Sequence, residues 1–454
     1  MAGKYNWRFL IITSLVTAMG GYLFGFDFAV ITGGLPFLRE QFGLDAYWEG
    51  FTTGSLALGC IIGCLIAGRI ADSYGRKPGL FAAASLFFLS SLSMALAPSL
   101  SWFITSRFMA GIGVGMASML SPMFIAEISP AETRGRLVAI NQLTIVLGQV
   151  ITHFENFQLR NIGPEAWRWM FGMGTIPSFL FFIGVFFLPE SPRYLLRKGK
   201  ESESRKVLAR IGDKYFVESS ISAILSTMNK EVRSHIRNVF TKAIMPVLLI
   251  GIGLAVFQQF CGINVVFNYT TNIFRSIGAS ATEQLMQAVY ISLANLLFTL
   301  IAMTLVDKWG RRPLMLAGAG GLAILYIIIG YLLFSKNSSG LSWFILAAIG
   351  FYAMSLAPLT WVLISEIFPN NIRGAAISVA VIALWTAYFI LVFTFPVIEK
   401  YFGDATAFWG YAVICVLGFL FIFFKLPETK GKSLEEIESG FLNRSIDTSI
   451  PAAE

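Results

Sequence analysis

Apolar runs of about twenty residues follow one another along most of the chain, separated by short polar stretches rich in glycine and basic residues. A helix rises 1.5 Å per residue, so about twenty such residues span a hydrocarbon core of about 30 Å. Twelve runs reach that length, at 9–35, 48–71, 79–97, 101–124, 137–158, 168–188, 243–275, 284–306, 313–334, 342–366, 374–398 and 407–425. The pattern predicts an all-α membrane protein with twelve transmembrane helices. Composition agrees: only 13% of the 454 residues are charged and 56% are hydrophobic, against about 25% charged in a soluble domain. The first run is too long, and too polar at its end, for a cleaved signal peptide, so it is expected to stay as a helix.

The net charge of +8 changes the picture only through its distribution. With both termini on one side, 27 of the 34 Lys and Arg fall on that side, six on the other, and Arg107 lies inside a span. By the positive-inside rule both termini are cytoplasmic, in the cytoplasmic (inner) membrane. The basic charge is therefore topological, and no nucleic-acid partner is expected. The four cysteines (Cys60, Cys64, Cys261, Cys415) all lie within spans, without histidine or carboxylate company, and read as small packing residues. No metal site is expected.

The longest hydrophilic segment divides the spans six and six. It predicts four regions: 1–188 as one six-helix bundle, 189–242 as a cytoplasmic linker with short amphipathic helices, 243–425 as a second bundle, and 426–454 as a cytoplasmic tail. The two bundles echo each other. DSYGRKP at 72–78 returns as DKWGRRP at 307–313, AEISPAETRG at 126–135 as SEIFPNNIRG at 365–374, and LPESP at 188–192 as LPETK at 426–430. Related halves of six spans imply a pseudo-two-fold axis along the membrane normal, with a site expected near mid-membrane between them.

One polar stretch does not belong in hydrocarbon: FQQFCGINVVFNY at 257–269. An amide buried without a partner costs roughly 2–7 kcal/mol. At about 100° per residue, Gln259 and Asn264 lie about 140° apart on a straight helix. A break at Cys261-Gly262 would let both aim at one place, as discontinuous transporter helices do. The repeat offset maps Asn264 onto Asp27 in span 1, so these two helices are expected to be symmetry mates. The choice is between amides that join helices and amides that hold a ligand, and their number on two related helices favours a ligand.

The long motifs GRIADSYGRKP, RFMAGIGVGMASMLSPMFIAEISPAETRGR, PESPRYL, FQQFCGINVV, VDKWGRRP, WVLISEIFPNNIRG and PETKG resemble the sugar porter family of the major facilitator superfamily. The resemblance runs over 8–435 and is nearest to bacterial proton-coupled pentose, hexose and inositol symporters. It implies the major facilitator fold, and a sugar or polyol held by Gln149, Gln258, Gln259, Asn264, Asn295 and Trp361. Trp385, at the start of an expected discontinuity in span 11, is a further candidate. Amides donate and accept without charge, and an indole offers an apolar face with one N–H, which suits a sugar ring.

The chain departs from the family pattern where Asn268 stands in place of an aromatic, Leu384 in place of an amide, and Tyr388 in place of an asparagine. His153, Glu155 and Asn156 also replace more apolar residues. His153 and Asn156 are candidates for the cavity, one turn beyond Gln149, or for a polar outer mouth. Asn268 is a substrate candidate as well.

Asp27 and Arg107 lie at matching depths and can pair, and an ionisable residue inside a membrane is a functional candidate by default. The resemblance assigns both to proton coupling. It also assigns a cytoplasmic gate to Asp72, Arg76, Glu127, Arg134, Glu190 and Arg193, with Asp307, Arg311, Glu366, Arg373 and Glu428 as counterparts, expected to form ion pairs across the halves. The function expected is import of a monosaccharide or polyol with protons by alternating access. An uncoupled facilitator and a transport-inactive nutrient sensor are the alternatives. No catalytic constellation is present and no cofactor is expected beyond the proton gradient as energy source. The expected partners are the sugar or polyol, protons and the lipid bilayer, with the chain as a monomer.

Overall fold

The computed structural model describes residues 5–228, 239–241, 244–368 and 372–430, with the side chains of residues 227, 306, 307 and 365 left out. Among the described residues twelve helices are long and apolar enough to cross a membrane. The first six spans are α1 (Trp7–Phe42), α2 (Ala46–Ser73), α3 (Arg76–Ala95), α4 (Leu100–Ile128), α5 (Arg134–Leu159) and the pair α6 (Ala166–Met173) and α7 (Thr175–Phe187). Three short helices follow: α8 (Pro192–Arg197), α9 (Glu201–Ile211) and α10 (Lys214–Met228). The seventh span is broken into α11 (Met245–Phe260), α12 (Ile263–Asn268) and α13 (Thr270–Ser276). The rest are α14 (Ala281–Trp309), α15 (Arg311–Phe334), the pair α16 (Leu341–Met354) and α17 (Leu356–Ile367), α18 (Arg373–Phe402) and α19 (Asp404–Lys425).

The twelve spans fall where the apolar runs place them. Two details differ from expectation. Spans 6 and 10 are interrupted, at Gly174 and at Ser355. Span 11, expected to be discontinuous near Trp385, is one helix from Arg373 to Phe402 with Pro396 inside it.

The chain forms two compact units. The first unit comprises 1–45 and 55–231, the second 46–54 and 232–454. The segment expected to be a linker holds three described helices. Its helices α8–α10 join the first unit, for visible reasons: Asn6 N donates to Ile211 O at 2.8 Å, Tyr194 Oη to Ser73 O at 2.9 Å, and Ser204 Oγ to Pro192 O at 3.1 Å. Ala46–Gly54, expected in the first bundle, packs into the second unit, where the Tyr47 and Phe393 rings meet edge to face at 5.2 Å. There Asn272 Nδ2 also donates to Glu49 Oε1 at 2.7 Å and to Glu399 Oε2 at 3.0 Å.

Lipid tails supply no hydrophobic drive for helix association, so close backbone approach and van der Waals contact must hold spans together. Small residues supply it in the first unit. A Cβ on Gly25 would overlap the Ile145 carbonyl, and one on Gly148 the Tyr22 carbonyl, which seats α1 against α5. Gly59 and Gly111 do the same for α2 and α4, against Phe108 O and Leu56 O. Gly111→Val should therefore force α2 and α4 apart and lower the thermal unfolding midpoint of the solubilised protein, at a cost of about 1–3 kcal/mol. Gly68→Ala, which enters open space, should leave that midpoint unchanged.

Candidate functional site

In the second unit the predicted break is present. Gly262 adopts the left-handed conformation, φ +87°, between α11 and α12, which a residue with a Cβ reaches only under strain. The turn brings Gln259 and Asn264 together, with Asn264 Nδ2 donating to Gln259 Oε1 at 2.5 Å. Gln259 Nε2 donates to Gln258 Oε1 at 2.6 Å, and Gln258 Nε2 to Tyr352 Oη at 3.2 Å. These amides thus offset much of their desolvation by bonding one another along one broken helix. Each amide has two N–H groups and two lone pairs, so the string still holds unused capacity. Gln258 and Gln259 are buried, whereas Asn264 is half-buried at its open end.

Two of the departures from the family pattern meet here. Asn268 Nδ2 donates to Tyr388 Oη at 2.9 Å and to Asn264 O at 2.7 Å. The Asn268 amide oxygen is buried with no hydrogen-bond partner among the described residues. The Tyr388 ring sits edge-on to Trp385, centroids 5.8 Å apart. An asparagine on α12 and an aromatic on α18 have exchanged places relative to the pattern, and they bond to each other. Leu384 is buried beside them on α18, and Asn295 is buried on α14. Trp361 on α17 is 42% exposed.

The first unit carries the charges. Asp27 and Arg107 are each 1% exposed. Arg107 Nη1 donates to the main-chain oxygen of Asp27 at 3.1 Å, which confirms that their depths match. The Asp27 carboxylate Oδ1 has no hydrogen-bond partner among the described residues. Gln149, on α5, is half-buried.

The other two α5 candidates are Asn156 and His153. Asn156 Nδ2 donates to Ala29 O at 3.2 Å and Val30 O at 3.5 Å, and the side chain fills the space left by Gly33. It fastens α5 to α1. His153 is 2% exposed, with neither ring nitrogen hydrogen-bonded among the described residues. Both side chains are buried, and Asn156 is held against α1.

The repeated motifs build the same structure twice. In the first unit Arg76 grips Glu127 with both arms of its guanidinium, Nε to Oε2 at 2.9 Å and Nη2 to Oε1 at 2.8 Å. Glu190 accepts from the Arg76 main-chain N at 2.9 Å, capping the start of α3, and Ser191 Oγ donates to Glu127 at 2.5 Å. In the second unit Arg311 reaches Glu366 at 3.4 Å, Glu428 accepts from the Arg311 and Arg312 main-chain N at 3.0 and 3.1 Å, and Thr429 Oγ1 donates to Glu366 at 2.7 Å. A carboxylate at a helix N-terminus meets unsatisfied N–H groups and the positive end of the helix dipole. Gly75 and Gly310, both at positive φ, clear room for it.

Of the other gate candidates, Asp72 pairs with Arg197 at 2.9 Å. Arg134 and Arg373 donate to the carbonyls of Ala126 and Phe368. Arg193 stands at the start of α8, and the Asp307 side chain lies outside the described residues. Each of these pairs and caps joins residues within a single unit. Sequence reasoning missed Tyr352, Ser191, Thr429 and Arg197. The hydroxyls at 191 and 429 stand at equivalent places in LPES and LPET, and that equivalence was the available signal.

A twelve-span chain with a broken polar helix and duplicated capping motifs defines a membrane transporter of paired six-helix halves. The family model described as "Sugar (and other) transporter" matches residues 13–441, and the chain belongs to that family. It is 36% identical to the D-xylose-proton symporter of Escherichia coli K12, covering 97% of each chain, and 37% identical to the arabinose-proton symporter of Bacillus subtilis, covering 96% of each. It is 34% identical to the major myo-inositol transporter of B. subtilis, covering 95% of this chain and 94% of that one. Among solved structures it is similar to the partially occluded inward-open xylose transporter XylE from E. coli, with TM-score 0.84, 34% identity and coverage of 94% and 100%. The protein is a multi-pass membrane protein and not an enzyme.

Two outcomes follow from this geometry. In a double-mutant cycle read by chemical unfolding, Asn268→Ala and Tyr388→Phe should be non-additive by about 0.5–1.5 kcal/mol, the contribution of one hydrogen bond. Burial would raise the Glu428 carboxyl, but N–H groups of Lys430, Arg311, Arg312 and Thr429 hold it below the usual range. A depressed carboxylate stabilises the folded state above its unfolded pKa of about 4.3, and that support is lost as pH falls through the folded value. Glu428→Gln should therefore flatten the acid limb of a stability–pH profile below about pH 4.3 while destabilising the protein at neutral pH.

Proposed function

We propose that this protein is a proton-coupled symporter that imports a monosaccharide (a pentose or hexose) or related polyol by alternating access. It works in the cytoplasmic membrane with both termini inside. The observation that carries the reading is the buried Asp27 carboxyl beside Arg107 in a member of the sugar transporter family. An uncoupled facilitator has no use for an acid there. The names of the relatives point the same way, since xylose–proton and arabinose–proton symport are theirs. The orientation rests on the 27-to-6 bias of basic residues.

Gln258, Gln259, Asn264 and Asn268 offer neutral donors and acceptors to sugar hydroxyls, with Gln149 and Asn295 as further amides and Trp361 and Trp385 as stacking faces. When ionised, Asp27 is attracted to the Arg107 guanidinium. When protonated, it loses that attraction, so the conformation that depends on it weakens. A ligand or proton shifts a conformational equilibrium only as far as it binds one state better. Coupling therefore requires that protonation of Asp27 and occupancy by sugar favour the same state. The repeated carboxylate caps give the inner ends of the helices a charged frame that can change with that state.

Uptake into proteoliposomes, run over pentoses, hexoses and inositols with and without an imposed proton gradient, tests the reading. At least one of these should accumulate against its gradient, and a protonophore should abolish the accumulation. Asp27→Asn should remove accumulation while counterflow exchange persists. Full accumulation by that variant would leave a facilitator with some other energy source as the better account.

A further inference from the structure

A groove lies far from these residues, at the opposite end of α1 from Phe42. It has a volume of about 310 Å³ and runs between the start of α1, the end of α7 and the end of α9, all in the first unit. Arg8 and Arg210 stand at its rim, and Phe9, Ile12, Val16 and Phe187 make its apolar walls. Gly184 forms the floor, pressed against Val16. Nineteen residues separate Arg8 from Asp27 on α1, about 28 Å at helical rise, so the groove is no part of the coupling pair.

Three features decide what the groove fits. Its polar end carries two guanidinium groups, and none of its lining residues is a carboxylate. Arg210 lies over the Phe9 ring with its Cζ 4.4 Å from the centroid, and among the described residues neither arginine is in an ion pair. Its apolar end opens outward: Ile11, Ile12, Leu15 and Phe187 are all exposed, Phe187 by 77%. In a membrane-spanning chain, large exposed aliphatic and aromatic groups on a span face acyl chains. Trp7, exposed one turn before Ile11, belongs to the interfacial aromatic belt. The groove therefore crosses the boundary between headgroups and hydrocarbon, with cations at the aqueous end.

We infer that this groove binds an anionic phospholipid, its phosphodiester between Arg8 and Arg210 and one acyl chain along Ile12, Val16 and Phe187. Guanidinium pairs with phosphate oxygens through two parallel N–H bonds, which an ammonium cannot reproduce. Asn6 N bonded to Ile211 O holds the α9 end at the α1 start, so both arginines are kept at one rim. The lipid would bridge the amphipathic helix to the first span.

Native mass spectrometry of the full-length purified protein tests this directly. Phosphatidylglycerol, phosphatidylcholine with the same acyl chains, and soluble glycerol phosphate are titrated in parallel. Phosphatidylglycerol should bind more tightly than phosphatidylcholine. Arg8→Gln and Arg210→Gln should each weaken it about five-fold, the effect of removing one basic residue from an anionic membrane surface. Arg205→Gln, at an exposed ion pair with Glu201 and Glu218, should have no effect. Ile12→Asn should weaken phosphatidylglycerol without changing glycerol phosphate. Equal binding of the two lipids, unchanged binding in both arginine variants, or displacement of phosphatidylglycerol by equimolar glycerol phosphate would each overturn the proposal. The last result would mean a soluble anion site instead.

Discussion

The hydrocarbon core of a membrane holds no water, so each polar group within it must be met by the protein itself or by something the protein carries. That constraint sorts the buried polar residues of this chain. Many are met internally: the Asn156 amide N–H bonds the α1 backbone, Tyr269 donates to Val392 O, and Thr144 to Ala18 O. Others, among them Thr152, His153, Tyr326 and Tyr411, keep a buried polar atom with no hydrogen-bond partner among the described residues. The amide string of Gln258, Gln259 and Asn264 bonds along itself, yet ends in a half-exposed amide. The Asn268 oxygen and the Asp27 carboxylate Oδ1 have no hydrogen-bond partner among the described residues. Among the residues with unspent capacity are Gln258, Gln259 and Asn264, which the family resemblance assigns to sugar, and Asp27, which it assigns to the proton. His153 bears the same mark, and no role follows from it.

A second constraint acts at the ends of the spans, where helix termini expose N–H groups. Both units meet it with one device: a glycine at positive φ, a glutamate from a distant segment capping the helix, and an arginine locked to a second glutamate. The second glutamate also takes a hydroxyl from the residue beside the cap, Ser191 or Thr429. The repeat is thus a record of a physical solution: Arg76, Glu190 and Ser191 have Arg311, Glu428 and Thr429 as counterparts doing the same work. Single exposed ion pairs contribute about 0–1 kcal/mol. The largely buried bidentate pair of Arg76 and Glu127, with its extra donors, is a stiffer joint than any one of those.

Much of this was legible in the sequence because it depends on local rules. Span number and limits come from apolar length, and the internal duplication from repeated motifs. The break at Gly262 follows from two amides that a straight helix cannot align. What was not legible depends on partners far along the chain. Whether Asn156 faces a cavity or another helix is decided by Gly33, more than a hundred residues away. Asn268 and Tyr388 each look like an isolated departure until they are seen bonded across 120 positions. The expected discontinuity of span 11 failed for a related reason. Trp385 and Tyr388 pack and bond as side chains on an unbroken helix, so no main-chain break is needed to aim them. The assignment of 46–54 to the second unit rests on aromatic contacts and on the Asn272 bridge, neither of which has a local signature.

The distribution of charge carries a further consequence. The amides assembled around FQQFCGIN are all neutral, and the ionisable group deep in the membrane lies in the other half of the sequence. A carboxylate among the amides would hold a sugar more strongly, but it would tie sugar affinity directly to its own proton. Neutral amides avoid that, since they present the same donors and acceptors whether or not Asp27 is charged. In the proposed mechanism proton and sugar then communicate through the conformation of the protein, by favouring the same state, and binding linkage makes that effect reciprocal. The exchange of asparagine and aromatic at 268 and 388 fits this separation. It rearranges hydrogen-bond donors and acceptors at the proposed sugar site without introducing a charge, so in that reading substrate choice can diverge while the proton chemistry proposed for Asp27 stays as it is.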